Sequence, residues 1–185
     1  HNLVALELPC RFDYQDFEEL FARSQAAYLE GDGEQALPLA RQALRLYRND
    51  FLEGFDEDWV VAGRSRWAAM RYQALTLVAR CLLQQSNFEA VEQCARELLL
   101  IDDLREEAHC LLLEALAGAG RPVEAVAHYE RAQQLFEEEI GVFPGRLRET
   151  LVAGANTKIY NRETGHKETR EYDEFVRSDL MKSVM

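Results

Sequence analysis

The 185-residue chain lacks any apolar run long enough to cross a membrane. No stretch of eighteen apolar residues occurs, although a bilayer-spanning helix needs about 20. The opening HNLVALELP has neither the basic start nor the long apolar segment of a secretory signal. Apolar residues nevertheless make up 48% of the chain, enough for one domain with a substantial core. The sequence therefore predicts a soluble, cytoplasmic protein with no membrane partner.

Basic residues are scarce relative to acidic ones. Lysine and arginine number 21 against 33 aspartate and glutamate residues, which leaves a formal net charge of −12. A DNA-binding surface needs clustered cations to displace counterions along the phosphate backbone. One basic stripe, Arg41, Arg45 and Arg48, could touch such a backbone, but a solvated helix face is the simpler interpretation. These residues are therefore not expected to form a DNA-binding surface by themselves.

The chain also lacks the motifs of catalytic, metal and cofactor sites. The four cysteines form no C-x-x-C pair, which indicates reduced core thiols. No G-x-S-x-G elbow and no phosphate-binding glycine loop is present. His109 and His128 have no further metal ligand at helical spacing. The sequence thus predicts no catalytic, metal-binding or cofactor-binding residue, and the protein is not expected to be an enzyme.

What the chain does have is helical periodicity. From Asp13 to Leu151 apolar residues recur at intervals of three and four, and almost no segment alternates at period two. The pattern predicts successive helices separated by short polar loops. The last of them should stop at Gly141 and Pro144, because a C-cap glycine followed by proline ends a helix. Helices of this length joined by short loops pair in antiparallel fashion.

The second helix of each pair carries the same pattern of small residues. Aligned from the preceding loop, the segments read GDGEQALPLARQAL, SNFEAVEQCAREL and GRPVEAVAHYERAQ. The last two are 34 residues apart, which is the tetratricopeptide period, whereas the first two are 55 apart. We therefore predict an all-α, tetratricopeptide-like array of antiparallel helix pairs, an α-α superhelix. Its close-contact positions are Ala36, Ala40 and Ala43, then Val91, Ala95 and Leu98, then Ala125, Tyr129 and Ala132.

An acidic, aromatic segment explains the longer first interval. Residues 49–60, NDFLEGFDEDWV, carry five acidic side chains and no basic one. The apolar residues of this segment are too hydrophobic to remain in water, so we expect them to cover the side of the first helix pair. They are Phe51, Leu52, Phe55 and Trp59.

Two long motifs point to one family. YRNDFLEGFDEDWV and LREEAHCLLLEALAGAGRPVEAVAHYERAQQLFEEEIGVFP together resemble the bacterial transcriptional activator domain. This tetratricopeptide-like domain follows an OmpR-type winged helix in SARP-type regulators of antibiotic pathways. The resemblance covers Asp13 to Leu151, about three quarters of the chain.

The resemblance implies three segments. Residues 1–12 would be a short strand remnant and linker from a winged-helix DNA-binding domain that lies upstream of His1. Residues 13–152 would be the bacterial transcriptional activator domain. Residues 153–185 would be a C-terminal extension with an added helix, because five apolar residues there share one helical face. They are Tyr172, Phe175, Val176, Leu180 and Val184.

The implied function is that of a non-catalytic regulatory and protein-interaction domain in a bacterial transcription regulator. It would position or dimerise the upstream DNA-binding domain and contact RNA polymerase or another partner. DNA would be bound only through the missing domain, and the chain could form a homodimer. Two alternatives stay open: a free-standing tetratricopeptide adaptor or scaffold, and a small-molecule-sensing domain.

The first helix of each pair lines the concave groove of such an array. A clamp for a carboxylate-terminated peptide would need several cations in the groove, and only Arg80 is basic. A groove of mixed polarity fits a peptide, a helix of the same protein or a partner helix. The predicted partner-binding residues are Tyr28, Gln73, Thr76, Arg80, Glu107 and Glu114, with Phe21, Gln25 and Cys110 at further groove positions.

Overall fold

A computed structural model describes residues 13–48, 54, 57–142 and 144–162, and it divides the chain into two compact units. Unit 1 is His1–Cys81 and unit 2 is Leu82–Met185. Every regular element in the described residues is an α-helix, which confirms the all-α prediction. The helices are α1 (Asp13–Leu29), α2 (Gly33–Leu46), α3 (Asp58–Gln84), α4 (Phe88–Ile101), α5 (Glu106–Gly118), α6 (Pro122–Glu139) and α7 (Gly145–Arg162).

The core of unit 1 forms where α1 packs against α2 and the first part of α3. The Ser24 hydroxyl, fully buried, donates to the Ala36 carbonyl at 2.7 Å and so joins α1 to α2. Phe17 is also fully buried, and its ring centroid lies 4.8 Å from that of Trp67 on α3 and 6.0 Å from that of Phe21. Aromatic packing of this kind adds about 0.5–1.5 kcal/mol to the contribution of buried area alone.

In the acidic segment Val60 is buried instead of Trp59. Trp59 is 64% exposed, whereas Val60 is fully buried, so the expectation that Trp59 covers the first helix pair is wrong. The reason is helical phase: α3 begins at Asp58, and residues seven apart share a helix face, so Val60 points the same way as buried Trp67. Phe51, Leu52 and Phe55 lie outside the described residues.

Helix α5 is the centre of unit 2. Nine of its thirteen residues are buried, and α4, α6 and α7 all pack against it. Helix α7 approaches closely because Gly154 has no side chain: a Cβ there would lie 2.7 Å from the Cβ of Ala117. Leu147 and Leu151, at 0% and 2% exposure, bury the inner face of α7. No sequence pattern predicted this helix before residue 153. The strand predicted at residues 1–12 and the apolar face predicted from Tyr172 to Val184 lie outside the described residues.

The predicted repeat register is present in the packing. All nine close-contact positions of α2, α4 and α6 are buried, with exposures between 0% and 8%. Small side chains at these positions let neighbouring helices approach without leaving voids. The fold is therefore a tetratricopeptide-like helical array.

Three loops of the array close with the same hydrogen bonds. In each, a residue with positive φ donates its N–H to the carbonyl three residues back, and the next N–H donates five residues back. This is the Schellman closure of a helix C-terminus. The residues with positive φ are Gly31 (84°), Ser86 (56°) and Gly120 (82°), spaced at the same 55 and 34 residues as the repeats.

Ser86 is the only non-glycine residue with positive φ among the described residues. The left-handed conformation costs a residue with a side chain about 1 kcal/mol relative to glycine. We therefore expect Ser86→Gly to raise the free energy of unfolding by about 0.5–1 kcal/mol in urea denaturation. The neighbouring Gln85→Gly, at an ordinary φ, should lower it. Equal effects of the two substitutions would contradict this explanation.

Candidate functional site

Four of the six predicted partner-binding residues lie in unit 1. Tyr28 on α1 is half-buried, and Gln73 and Arg80 on α3 are exposed. Thr76 is only 7% exposed, and its hydroxyl donates to the Tyr72 carbonyl at 3.0 Å within the same helix. Three of the four side chains are thus accessible at least in part, while Thr76 belongs to the helix packing.

The other two residues, Glu107 and Glu114, lie in unit 2 on α5 and are half-buried. Their neighbour Cys110 is 2% exposed, and the Thr150 hydroxyl of α7 contacts its sulfur at 3.4 Å. Helix α7 therefore covers part of the α5 face that the sequence analysis assigned to the groove. Partner binding by the six residues stays a prediction.

Two histidines that the sequence analysis set aside are in direct contact. His109 Nδ1 on α5 lies 3.0 Å from His128 Nε2 on α6, and the rings stack with centroids 5.1 Å apart. His109 Nε2 lies 2.7 Å from the carbonyl oxygen of Asp103, and the Phe136 ring packs edge-on against His109. Both side chains are buried, at 3% and 8% exposure. The two histidines thus form a buried pair between α5 and α6.

The Asp103 carbonyl fixes the direction of hydrogen bonding in this pair. A carbonyl oxygen only accepts, so His109 Nε2 carries the proton and donates to Asp103. His109 Nδ1 is then an acceptor in the neutral ring, and His128 Nε2 must donate to it. Neutral His128 consequently has its lone pair on Nδ1.

Burial keeps both histidines neutral near pH 7. Removal from water lowers the pKa of His109, and the hydrogen bond to the Asp103 carbonyl opposes this effect. Burial, and after it the positive charges of His109, Arg131 and Arg96, lower the pKa of His128 to about 4. No group of three or more His, Cys, Asp or Glu residues within the described ranges could hold a metal ion.

A sequence signal for the pair existed in the repeat register. His128 follows Ala125 by three residues and precedes Ala132 by four, so it lies on the same buried stripe as these two close-contact positions. That placement alone indicates a buried histidine on α6. Its partner could not be read from the sequence, because the contact depends on how α6 packs against α5.

Arg121 links α4 to the start of α6. Its guanidinium lies 2.5 Å from a Glu92 oxygen and 2.5 Å from a Glu124 oxygen, and Glu92 is also bound by Arg96 at 2.7 Å. The hydrogen bond from Arg96 is the main cause that lowers the pKa of Glu92. The hydrogen bond from Arg121 likewise lowers the pKa of Glu124. Both carboxylates are therefore ionised and paired at neutral pH.

A pocket of about 130 Å³ opens beside this network in unit 2. Its lining comes from α4, α5 and α6, and combines apolar side chains of α5 with charged side chains of the other two helices. Arg131 lines the pocket and makes no ion pair with any residue in the part of the chain that the structure describes. The lining residues are Arg96, Leu112, Leu116, Glu124, Ala127, His128 and Arg131.

Comparison with protein families gives one match that spans most of the chain. The profile described as "Bacterial transcriptional activator domain" matches residues 12–154. The chain is also similar to "Regulatory protein AfsR" from Streptomyces coelicolor, with 33% identity over 128 residues, and to the protein of that name from Streptomyces griseus, with 31% identity over 128 residues. Each match covers 69% of this chain and 13% of the relative, so the chain corresponds to a small part of these regulators.

A solved structure agrees with the helical architecture. The C-terminal TPR-containing domain of a Plasmodium falciparum FK506-binding protein aligns with a TM-score of 0.60, covering 82% of this chain and 94% of that domain. At 15% sequence identity this likeness shows the tetratricopeptide-like fold alone. None of the helices searched in the described part of the chain has both the length and the apolarity to span a bilayer.

Proposed function

The chain belongs to the bacterial transcriptional activator domain family, and from this premise we propose that it is the non-catalytic, protein-interaction domain of a cytoplasmic transcription regulator. It positions or dimerises an upstream DNA-binding domain and contacts RNA polymerase or another protein partner. The family match over residues 12–154 is the observation that carries this proposal. DNA is bound through the upstream domain.

The surface chemistry supports protein contacts more than direct DNA contacts. A net charge of −12 disfavours approach to the phosphate backbone. Gln73 and Arg80 on α3 are exposed and can hydrogen-bond to a partner. They lie seven residues apart on one helix and therefore share a face. This face of α3 is the surface at which we place the protein contact.

Transcription in vitro tests the proposal with the full-length regulator, RNA polymerase and the promoter fragment that the regulator protects in a footprint. Arg80→Glu should lower promoter output about tenfold, which corresponds to ~1.4 kcal/mol of lost coupling, while DNA binding is retained. The matched control is Arg23→Glu, an exposed position on α1, which should leave output unchanged. Removal of residues 13–154 without loss of transcription would refute the proposal.

The first alternative is a free-standing adaptor, which would need no DNA-binding domain. The two assignments differ in what precedes His1: a basic winged helix supports the regulator, and its absence supports the adaptor. The second alternative, a small-molecule-sensing domain, is favoured by one observation, the pocket beside Arg131.

A further inference from the structure

The pocket in unit 2 combines an apolar base with cationic sides. Leu112 and Leu116 of α5, each 1% exposed, contribute the apolar part, together with Ala127 of α6. Arg96 approaches from α4, and Arg131 comes from α6. Helices α4 and α6 are the second helices of their pairs, so the pocket lies outside the face that the first helices were predicted to line.

The charges around the pocket do not cancel. Arg96, Glu124 and Arg131 line the pocket, and Arg121 and Glu92 lie next to it. Three arginines and two carboxylates leave one positive charge in excess. Glu92 is bound by Arg96 and Arg121, and Glu124 is bound by Arg121, so both carboxylates already have cationic partners. Arg131 makes no ion pair within the residues that the structure describes. In a chain with a net charge of −12, a local cationic excess of this kind favours an anionic ligand.

His128 can add a second positive charge to the pocket. Its Nε2–H donates to His109, and its Nδ1 makes no hydrogen bond to a residue in the described ranges. Protonation at Nδ1 would create a donor on a ring that lines the pocket and would leave the bond to His109 intact. The charged and titratable groups around the ring are His109 from α5, Arg96 from α4, and Arg131 and Glu124 on α6. The positive charges of Arg131 and Arg96 disfavour protonation of His128, and a bound anion would offset them.

We propose that this pocket binds the phosphate dianion of a small phosphate monoester, and that binding takes up one proton from solvent at His128 Nδ1. The two negative charges then face two positive ones, the Arg131 guanidinium and the His128 imidazolium. Bidentate arginine and a charged imidazole donor are strong hydrogen-bond partners of phosphate. The apolar side chains of α5 contact the organic part of the ligand.

The dimensions favour a free metabolite over a phosphorylated protein segment. A volume of about 130 Å³ accommodates one phosphate group and a few further heavy atoms. Phosphate binding does not depend on the protein contacts proposed above. It can be measured on the 185-residue chain in the absence of DNA and RNA polymerase. Failure of one proposal therefore leaves the other open to its own test.

Sulfate is the probe for the proton linkage, because it remains a dianion between pH 5.5 and 8. Calorimetric titration at constant ionic strength should show a dissociation constant that falls by up to about tenfold per pH unit as the pH is lowered, the limit for uptake of one proton. Nitrogen-15 NMR of the imidazole signals should show the pKa of His128 raised from about 4 in chloride by at least ~2 units in sulfate, into the pH range of the titration. His128→Gln identifies the signal and should abolish the pH dependence of binding.

The arginines supply matched variants. Arg131→Gln should weaken sulfate binding at least ~tenfold, whereas Arg41→Gln, an exposed arginine on α2, should leave it unchanged. Both substituted side chains are exposed, so both variants should fold, and circular dichroism is the check. An equal response of the two variants, or no movement of the His128 signal with sulfate, would overturn the proposal.

The source of the phosphate is settled by two further ligands at pH 6. Glycerol 3-phosphate should bind more tightly than sulfate and should compete with it. A phosphoserine peptide of about ten residues should bind more weakly than glycerol 3-phosphate, because a volume of about 130 Å³ encloses little beyond the phosphate and leaves the flanking backbone without contacts in the pocket. Tighter binding of the peptide would replace the metabolite by a phosphorylated protein and so overturn the small-molecule assignment.

Discussion

Acidification from pH 7 to about pH 4.5 should lower the free energy of unfolding of the wild-type chain by roughly 3 kcal/mol more than that of a His109→Leu/His128→Leu double variant. The difference arises because neither buried histidine accepts a proton as readily as it does in the unfolded chain. For His128 the pKa falls from its ordinary 6.5 to about 4 on folding. One pKa unit corresponds to about 1.36 kcal/mol, which sets the size of the effect.

The sign follows from proton counting. Below pH 6.5 the unfolded chain binds a proton at each histidine, while folded His128 does so only near pH 4. The stability contributed by the neutral pair is therefore complete above pH 6.5 and is lost progressively as the pH falls towards 4. Folded His109 has a lowered pKa as well, so its contribution has the same sign.

Urea denaturation at half-unit pH intervals measures this effect, in buffers free of phosphate and sulfate. The double variant removes both partners of the histidine hydrogen bond and keeps every carboxylate, so the difference between the two profiles isolates the pair. Parallel profiles between pH 7 and 4.5 would show that the histidines are not buried as neutral groups.

Phe17→Ala should lower the free energy of unfolding of unit 1 by about 3–5 kcal/mol. The Phe17 ring is fully buried and packs against Trp67 and Phe21, so its removal leaves a cavity as well as losing the buried area. The neighbouring helices can refill this cavity only in part, because the Ser24 hydrogen bond fixes α1 against α2.

Trp67 provides a local reporter for that substitution. In a Trp59→Phe background it is the only tryptophan of the chain, and its ring lies 4.8 Å from Phe17. Urea denaturation followed by Trp67 fluorescence should give the full loss for Phe17→Ala and less than ~0.5 kcal/mol for Leu29→Ala, a residue that is 85% exposed. A loss for Phe17→Ala as small as that for Leu29→Ala would contradict the described core.

The sequence was sufficient for features set by local spacing. Ala40 and Ala95 were predicted at close helix contacts from the repeat alone, and both are fully buried, because a helix buries the same stripe wherever the period holds. Trp59 was misjudged because hydrophobicity does not give the phase of a helix, and the start of α3 at Asp58 sets which side points inward. The first turns of α7 were missed because, over residues 145–154, where burial is described, only Leu147 and Leu151 are buried.

The candidate site was less accessible to sequence reasoning. The contact between His109 and His128 joins two helices and also requires the Asp103 carbonyl from the preceding loop, and no spacing rule links these three groups. The charge of the pocket depends on Arg131, which makes no ion pair to another described residue, and the sequence does not distinguish it from the paired arginines. Partner binding by Tyr28, Arg80 and the other predicted groove residues remains a prediction.

Arg121 has a consequence for how this half of the chain opens. Its backbone N–H closes the loop after α5, and its side chain holds a carboxylate on α4 and another on α6. Fraying of the first turn of α6 would therefore also break the ion pair between Arg121 and Glu92 of α4. Helical repeats usually come apart one neighbour at a time, but here a single residue spans two of them. Residues 88–139 are thus expected to unfold as one cooperative unit.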